Sequence, residues 1–307
     1  MDLLLSSVSQ GLLWSVMAIG VYLTFRILGL ADLTAEGSFP LGAAVCTSLI
    51  VNGVQPWLAT LLALVGGMVA GFISGFLHTK WKIPALLSGI ITMTGLYSIN
   101  LRIMGQANLT LLGESTLMRT VSSWGLGRMN AVLTVGFIVV AIVVFLLYLF
   151  FQTEVGLAIR STGDNSAMSE ANGIRVNTMK IVGYMLSNGL IALSGALLAQ
   201  NNGYSDISMG IGTIVIGLAS IIIGEVFFRH LTLVKHLMTI VLGSVIYRLL
   251  LLIVLEMRVD PQDLKLFSAI ILAIALGLPS IRSKLPKRQK KVQKSKEKGG
   301  MLSWMQR

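Results

Sequence analysis

Thirteen acidic residues, three histidines and one cysteine are the carboxylates, imidazoles and thiol that this 307-residue sequence offers for acid–base, thiol or metal chemistry. They do not gather. No Cys or His cluster has metal-ligand spacing, so no metal site is expected. The sequence has no Gly-x4-Gly-Lys-Ser/Thr phosphate loop, no His-Glu-x-x-His and no Gly-x-Ser-x-Gly. No catalytic residue is therefore expected, and the chain is not expected to hydrolyse ATP itself. Cys46 lies in an apolar run and reads as a buried, inert thiol. His78, His230 and His236 fall at the ends of apolar runs, where a cation suits a membrane interface.

The informative polar groups are those embedded in apolar sequence. The stretch Ala31-Asp-Leu-Thr-Ala-Glu-Gly-Ser38 brings Asp32, Glu36 and Ser38 to the start of an apolar run that also holds Pro40 and Gly42. Arg248 lies about twelve residues inside its apolar segment; an Arg at that depth is either functional or structural, snorkelling or paired with Asp206 or Glu256. Glu225 stands near the end of its segment, four residues from Arg229. No acid falls at the centre of a span, which speaks against an ion-coupled carrier.

The elements that hold these groups are membrane spans. Hydrophobic residues make up 54% of the chain and charged residues only 12%, with a mean hydropathy of +0.81; a soluble domain carries about twice that charge fraction. About nine segments fit a bilayer crossing: 6–25, 37–53, 57–77, 84–101, 131–151, 180–200, 207–228, 236–255 and 264–281. The predicted fold is an all-α integral membrane protein, with a membrane domain over 1–281 and a basic tail over 282–307 expected to be disordered. That tail carries ten Lys/Arg and one acid, +9 of the +11 total. It marks the cytoplasmic side and suits contact with anionic lipids, not nucleic acid. The positive-inside rule then puts Arg26, Lys80, Lys82 and the 154–180 loop inside, and Met1 outside. The 102–130 stretch disagrees, since it falls outside yet holds Arg102, Arg119 and Arg128 against Glu114; it is read as a place for a short interfacial or re-entrant helix, with a tenth crossing left open. Met1-Asp2 lacks the basic start of a secretory signal, so the first helix is expected to be retained.

Two segments read as discontinuous helices: the second, with Gly37, Pro40 and Gly42 near its start, and the seventh, which begins Asp206-Ile-Ser-Met-Gly-Ile-Gly212. Interrupted segments in each half of a membrane chain point to a transport route, though both also read as plain capped helix ends. Gly67, Gly71 and Gly75 recur every four residues, so they line one helix face for close packing. Gly203, Gly210, Gly217 and Gly224 recur every seven and are read the same way; Ala192 and Ala196 add to the small-residue pattern.

The inner loop from Glu154 to Arg175 is amphipathic, and Gly156, Gly163 and Gly173 predict two short helices with a turn between them, a knob able to dock into a cytosolic partner. Here the sequence resembles the permease subunits of branched-chain amino-acid-type ABC importers, which are related to ribose permeases. The resemblance rests on Gly156-Leu-Ala-Ile-Arg-Ser-Thr-Gly-Asp-Asn, Ala171-Asn-Gly-Ile, Ser187-Asn-Gly-Leu-Ile-Ala-Leu-Ser-Gly-Ala, Met209-Gly-Ile-Gly-Thr-Ile-Val-Ile-Gly-Leu-Ala, Ile223-Gly-Glu225, Leu30 to Ala44 and Asp263-Leu-Lys265. It leaves out the basic tail and is most like the subgroup of amino-acid, tryptophan- or tyrosine-type permeases.

The resemblance implies a fold of the cobalamin-importer (type II) kind, with about nine spans where related folds often have ten. It implies a second permease copy, giving a homodimer around one pathway in the cell membrane. It also implies cytosolic ATPase subunits that carry ATP and Mg, and an extracytoplasmic binding protein or lipoprotein. On that reading Gly156, Arg160, Gly163, Asp164, Glu170 and Gly173 belong to the ATPase-coupling element, with Gly163 permitting its turn. Asp32, Glu36, Ser38, Pro40 and Asn188 belong to the translocation pathway, and no cofactor is bound by this chain. A secondary transporter or channel working alone, a membrane scaffold, and a permease for nucleosides or sugars remain as alternatives.

Overall fold

In the computed structural model, residues 2–125, 127–227, 233–256, 266–270 and 272–273 are described. The first helix, α1 (Asp2–Tyr22), runs on into a π-helical turn at Leu23–Ile27. There follow α2 (Ala35–Val51), α3 (Pro56–Lys80), α4 (Ala85–Met104), strand β1 (Asn108–Thr110), α5 (Leu117–Ser122) and α6 (Arg128–Gln152). The second half holds α7 (Glu154–Asp164), α8 (Ser166–Ala171), α9 (Val176–Asn202), strand β2 (Tyr204–Asp206), α10 (Thr213–Phe227) and α11 (Leu233–Glu256). Among the described residues six helices are long and apolar enough to cross a membrane: α1 with its π turn, α3, α4, α6, α9 and α11; α2 and α10 are shorter apolar helices. A helix stands in eight of the segments read from the sequence. Of the ninth, residues 266–270 and 272–273 are described and helical, and the basic tail lies outside the described residues.

Local chemistry sets the ends. Pro56 starts α3, where its missing N–H costs nothing. Gly203 closes α9 in the left-handed region at φ 81°. Among the described residues, the 102–130 stretch holds the end of α4, β1, the six-residue α5 and the start of α6, and α5 is far too short to cross a bilayer. β1 pairs antiparallel with β2, Asn108 opposite Asp206 and Thr110 opposite Tyr204. This small ribbon lies at one end of α9 and the α7–α8 pair at the other. With ~1.5 Å of rise per residue along 27 residues, the two ends of α9 are about 40 Å apart, enough for opposite faces of a bilayer.

α9 is the most buried span, packed between α1, α2 and α3. On the other side of α1, helices α6, α10 and α11 complete the main core, where Leu13, Met17 and Ile19 meet Ile191, Leu197, Ile221 and Ile240. Gly67, Gly71 and Gly75 do line one face of α3, and that face lies on the backbone of α9. A Cβ at Gly67 would come 2.4 Å from the Asn188 carbonyl oxygen, and one at Gly71 would come 2.3 Å from that of Tyr184. From α2, Gly42 approaches the Ala192 carbonyl in the same way, with a Cβ at 1.9 Å.

The seven-residue glycine series does not form one face. α10 begins only at Thr213, so Gly203 and Gly210 precede it, and the helical period does not run through them. Gly210 meets Glu36 and Pro40 on α2, Gly217 meets Met17 and Val21 on α1, and Gly224 meets Thr239 on α11.

Candidate functional site

Asp32, Ser38 and Asn188, separated by up to 156 residues in sequence, form one buried network. Asn188 Nδ2 donates to Asp32 Oδ2 at 2.7 Å and to the Tyr184 carbonyl at 3.1 Å, while its Oδ1 accepts from Ser38 Oγ at 2.7 Å. The other Asp32 oxygen accepts from the Thr34 backbone N–H at 2.9 Å, and Thr34 Oγ1 donates to Ser74 Oγ at 2.8 Å. The network thus ties the connection before α2 to α2, α3 and α9. Asp32 stands in that connection, outside the helical spans. Burial pushes its carboxyl above the ordinary carboxylate range, against the pull of its hydrogen bonds to Thr34 and Asn188. Asn188 is wholly buried and turned into this network. Thr34 and Ser74 were missed as members; Ser74 is a polar residue set between Gly71 and Gly75 on a face otherwise read as packing.

The two segments read as discontinuous touch each other. Pro40, inside α2, lacks the N–H that would pair with the Glu36 carbonyl four residues back. That carbonyl lies against Gly210, where a Cβ would come 2.0 Å from the oxygen and 2.7 Å from Pro40 Cδ. The Glu36 carboxylate accepts from the Gly212 backbone N–H at 3.1 Å. Gly212 has φ 83°, so the turn before α10 needs glycine there. Glu36 and Pro40 therefore join α2 to the turn of residues 206–212 that leads into α10.

The Glu154–Arg175 loop folds as the expected helix pair. Thr153 caps α7 by accepting from Gly156 N, and Asn165 caps α8 by accepting from Met168 N. Ser161 and Ser169 share a 2.7 Å hydrogen bond between the two helices. The turn lies at Asn165, in extended backbone, and not at Gly163 as expected. Gly163 is inside α7, where it lets the helix seat on the π turn of α1; a Cβ there would come 1.7 Å from the Ile27 carbonyl oxygen. Gly156 sits the same way on Phe150, and Gly173, at φ 80°, makes the turn after α8. Arg160, Asp164 and Glu170 are exposed, and so are the apolar Leu157 and Met168. A groove of ≈ 570 Å³ runs between Glu154, Leu157, Ile174 and Arg175.

The intramembrane charges find other partners than those expected. Arg248 lies 4.5 Å over the Trp14 ring, which itself stacks on Phe39 at 5.2 Å, so its neighbour is an aromatic face and not Asp206 or Glu256. Asp206 accepts instead from Ser208 N at 2.7 Å. Glu225 pairs with Arg26 of the π turn at 3.0 Å; Arg229 lies outside the described residues. Arg26 and Trp14 were missed, because neither carries a spacing signal toward a partner some two hundred residues away. Cys46 is buried and accepts from Gln200 Nε2 at 3.2 Å.

Comparison with known proteins follows the same lines. The chain is 41% identical to a tyrosine transport system permease protein of Clostridioides difficile, over 94% of this chain and 95% of that one. It is 33% identical to an uncharacterized protein of Rickettsia prowazekii, over 90% and 98% of the two chains. It is 25% identical to a ribose import permease protein of Haemophilus influenzae, over 68% and 64%. The solved structure of PsaBC from Streptococcus pneumoniae, in complex with a Fab, has a similar fold, with a TM-score of 0.51 at 14% identity and 89% of each chain covered. The model of the branched-chain amino acid transport system permease component matches residues 3–277, and this multi-pass membrane protein belongs to that ABC permease family.

Proposed function

We propose that the chain is the membrane-spanning subunit of an ATP-driven importer for a small polar solute, an amino acid of the tyrosine type. The observation that carries this reading is the α7–α8 knob: charged groups and exposed apolar side chains on a short helix pair seated directly on α1. Such a surface suits the cleft of a cytosolic ATPase, which would hold ATP and Mg. Arg160, Asp164 and Glu170 are its polar contacts, and Gly156, Gly163 and Gly173 fix its shape. A push on the knob passes through Gly163 to the π turn, and through the Arg26–Glu225 pair to α10. The similarity to a tyrosine permease supports the substrate class.

On this reading the fold is of the cobalamin-importer type, and two copies enclose the pathway. An extracytoplasmic binding protein delivers the solute on the side of the β1–β2 ribbon. The C-terminus and the basic tail lie inside against anionic lipid, and the N-terminus lies outside. The Asp32–Asn188 network and the Glu36–Pro40 junction set the shape of the pathway wall.

The test is uptake of labelled tyrosine by vesicles carrying this chain with its neighbouring ATPase and binding protein. Arg160→Glu is expected to abolish uptake while the protein still inserts; normal uptake by that variant would sink the coupling role. Uptake by the purified chain alone, without ATP, would favour a stand-alone transporter.

A further inference from the structure

Arg26 and Arg248 meet their surroundings in different ways. Arg26 holds the Glu225 carboxylate at 3.0 Å, and among the described residues that is the only ion pair. Arg248 has no described carboxylate within ion-pair distance. It lies instead 4.5 Å over the Trp14 ring, which stacks on Phe39. Its Nε is closed off from solvent and carries no hydrogen bond. The terminal nitrogens make none to a described residue either, yet they are not closed off, and the residue as a whole is only half-buried. A guanidinium donates hydrogen bonds and accepts none, so this one turns its terminal donors to a space outside the packed chain.

That space lies deep in the membrane-spanning part. Arg248 stands eight residues from Glu256, the nearer end of α11, or about 12 Å at ~1.5 Å of rise per residue. The side chain does not shorten that distance. α1 and α11 run antiparallel: Tyr22 stacks on His236 near the start of α11, while the Gly11 carbonyl accepts from Ser244 Oγ at 2.8 Å. Trp14 lies on the His236 side of Gly11, whereas Arg248 lies one turn on the Glu256 side of Ser244. The guanidinium over Trp14 is thus drawn back toward the middle of α11, opposite to snorkelling and in the direction that helical side chains lean. Lipid headgroups stay at the membrane faces, and an unpaired cation at this depth is costly against lipid tails. Water or an anion in the open space relieves that cost.

We propose that Arg248 borders the solute route and receives the carboxylate of the transported solute, with the stack on Trp14 and Phe39 holding its guanidinium in place. A guanidinium presents paired N–H donors that match the two oxygens of a carboxylate. Phe39 stands between Ser38 and Pro40, so the stack is anchored on the stretch of α2 assigned above to the pathway wall. This chemistry selects a small molecule with a free carboxylate, and an amine that lacks one is not held there. The place of Arg248 in transport rests on the importer reading.

The test is made in a Cys46→Ser background, with the permease assembled with its ATPase and binding protein in membrane vesicles. Arg248→Cys is treated with water-soluble methanethiosulfonates that attach either an ammonium or a sulfonate. The introduced thiol is expected to react, and excess tyrosine is expected to slow the reaction more than its decarboxylated counterpart tyramine does. Uptake of labelled tyrosine by Arg248→Cys is expected to show a KM raised about tenfold or more, restored in part by the ammonium and not by the sulfonate. Arg248→Lys keeps the charge; it is expected to insert and to retain part of the uptake, which separates loss of the site from failure to fold. A thiol closed to both reagents, no slowing by tyrosine beyond that by tyramine, or an unchanged KM would overturn the proposal. So would a loss of uptake that neither the ammonium nor Arg248→Lys relieves, the mark of a purely structural arginine. If the parent complex moves no tyrosine, the importer reading fails, while the labelling alone still decides whether Arg248 borders water and holds a carboxylate.

Discussion

Alanine at Gly67 and, separately, at Gly66 adds one methyl group to adjacent positions of α3 and is expected to move stability in opposite directions. At Gly67 the new Cβ would stand 2.4 Å from both Ala192 Cβ and the Asn188 carbonyl oxygen, roughly 1 Å inside contact distance, and neither neighbour is the free end of a side chain. The α3–α9 seam must open, and overpacking of this kind costs about 1–3 kcal/mol. At Gly66 the nearest atom is Val45 Cγ2 at 3.8 Å, an ordinary contact. There the methyl brings only the helix preference of alanine, up to about 1 kcal/mol. The two variants are then separated by about 1–4 kcal/mol. At ~2–4 °C per kcal/mol for chains of 150–250 residues, that is a gap of at least about 2 °C in apparent melting temperature. The assay is the temperature at which half the protein leaves the monodisperse peak in mild detergent, at one fixed heating time because unfolding of this kind is not reversible. Equal shifts of the same sign at both positions would refute the reading of the seam as direct backbone contact.

Asn188→Ala removes three hydrogen bonds at once and leaves the buried Asp32 carboxyl with one fewer donor; a loss of about 2–4 kcal/mol is expected in the same melting assay. Because the folded-state pKa of Asp32 is raised, the folded protein binds a proton there at higher pH than the unfolded chain does. Its unfavourable contribution therefore grows as pH rises above the unfolded carboxylate value, and Asp32→Asn is expected to flatten that slope in melting curves taken across the acidic range. The Arg26–Glu225 pair is partly exposed, so Arg26→Ala is expected to cost less than about 1 kcal/mol, with the difference from the parent shrinking at high salt. Trp14→Leu removes the ring beneath Arg248; a loss of ~2 kcal/mol is expected, larger than for the same change at the exposed Trp57.

What the sequence revealed was mostly periodicity and punctuation. Gly67, Gly71 and Gly75 disclosed a close-packed face because a four-residue step repeats on a helix; that the face lies on carbonyls of α9 is a fact about a partner more than a hundred residues away, which spacing does not encode. Pro40 and Gly210 marked the two irregular segments, yet their mutual contact depends on how α2 and α10 are brought together. The glycine series from 203 to 224 misled because a seven-residue step implies one face only where the chain is already helical, and α10 begins at Thr213. Arg248 misled differently. A search by charge looks for acids, whereas the electron-rich face of Trp14 is neutral and leaves no trace in a charge pattern.

The seams made by Gly42, Gly67, Gly71 and Gly195 also restrict how this protein moves. Where side chains meet side chains, helices can slide past one another by exchanging rotamers. Here backbone meets backbone, and a shift of α9 by one residue would drive a carbonyl or a Cβ into a gap with no compressible atom in it. Shear along these seams is blocked, so α2, α3 and α9 behave as one plate. A seam of the same kind joins α9 to α1, where a Cβ at Gly20 would come 2.8 Å from the Ser187 carbonyl oxygen, so α1 moves with the plate, and the contact of Glu36 and Pro40 with the turn at Gly210–Gly212 is where the plate meets the lead into α10. On the importer reading, a wall that tilts as a single plate would open at one membrane face while closing at the other.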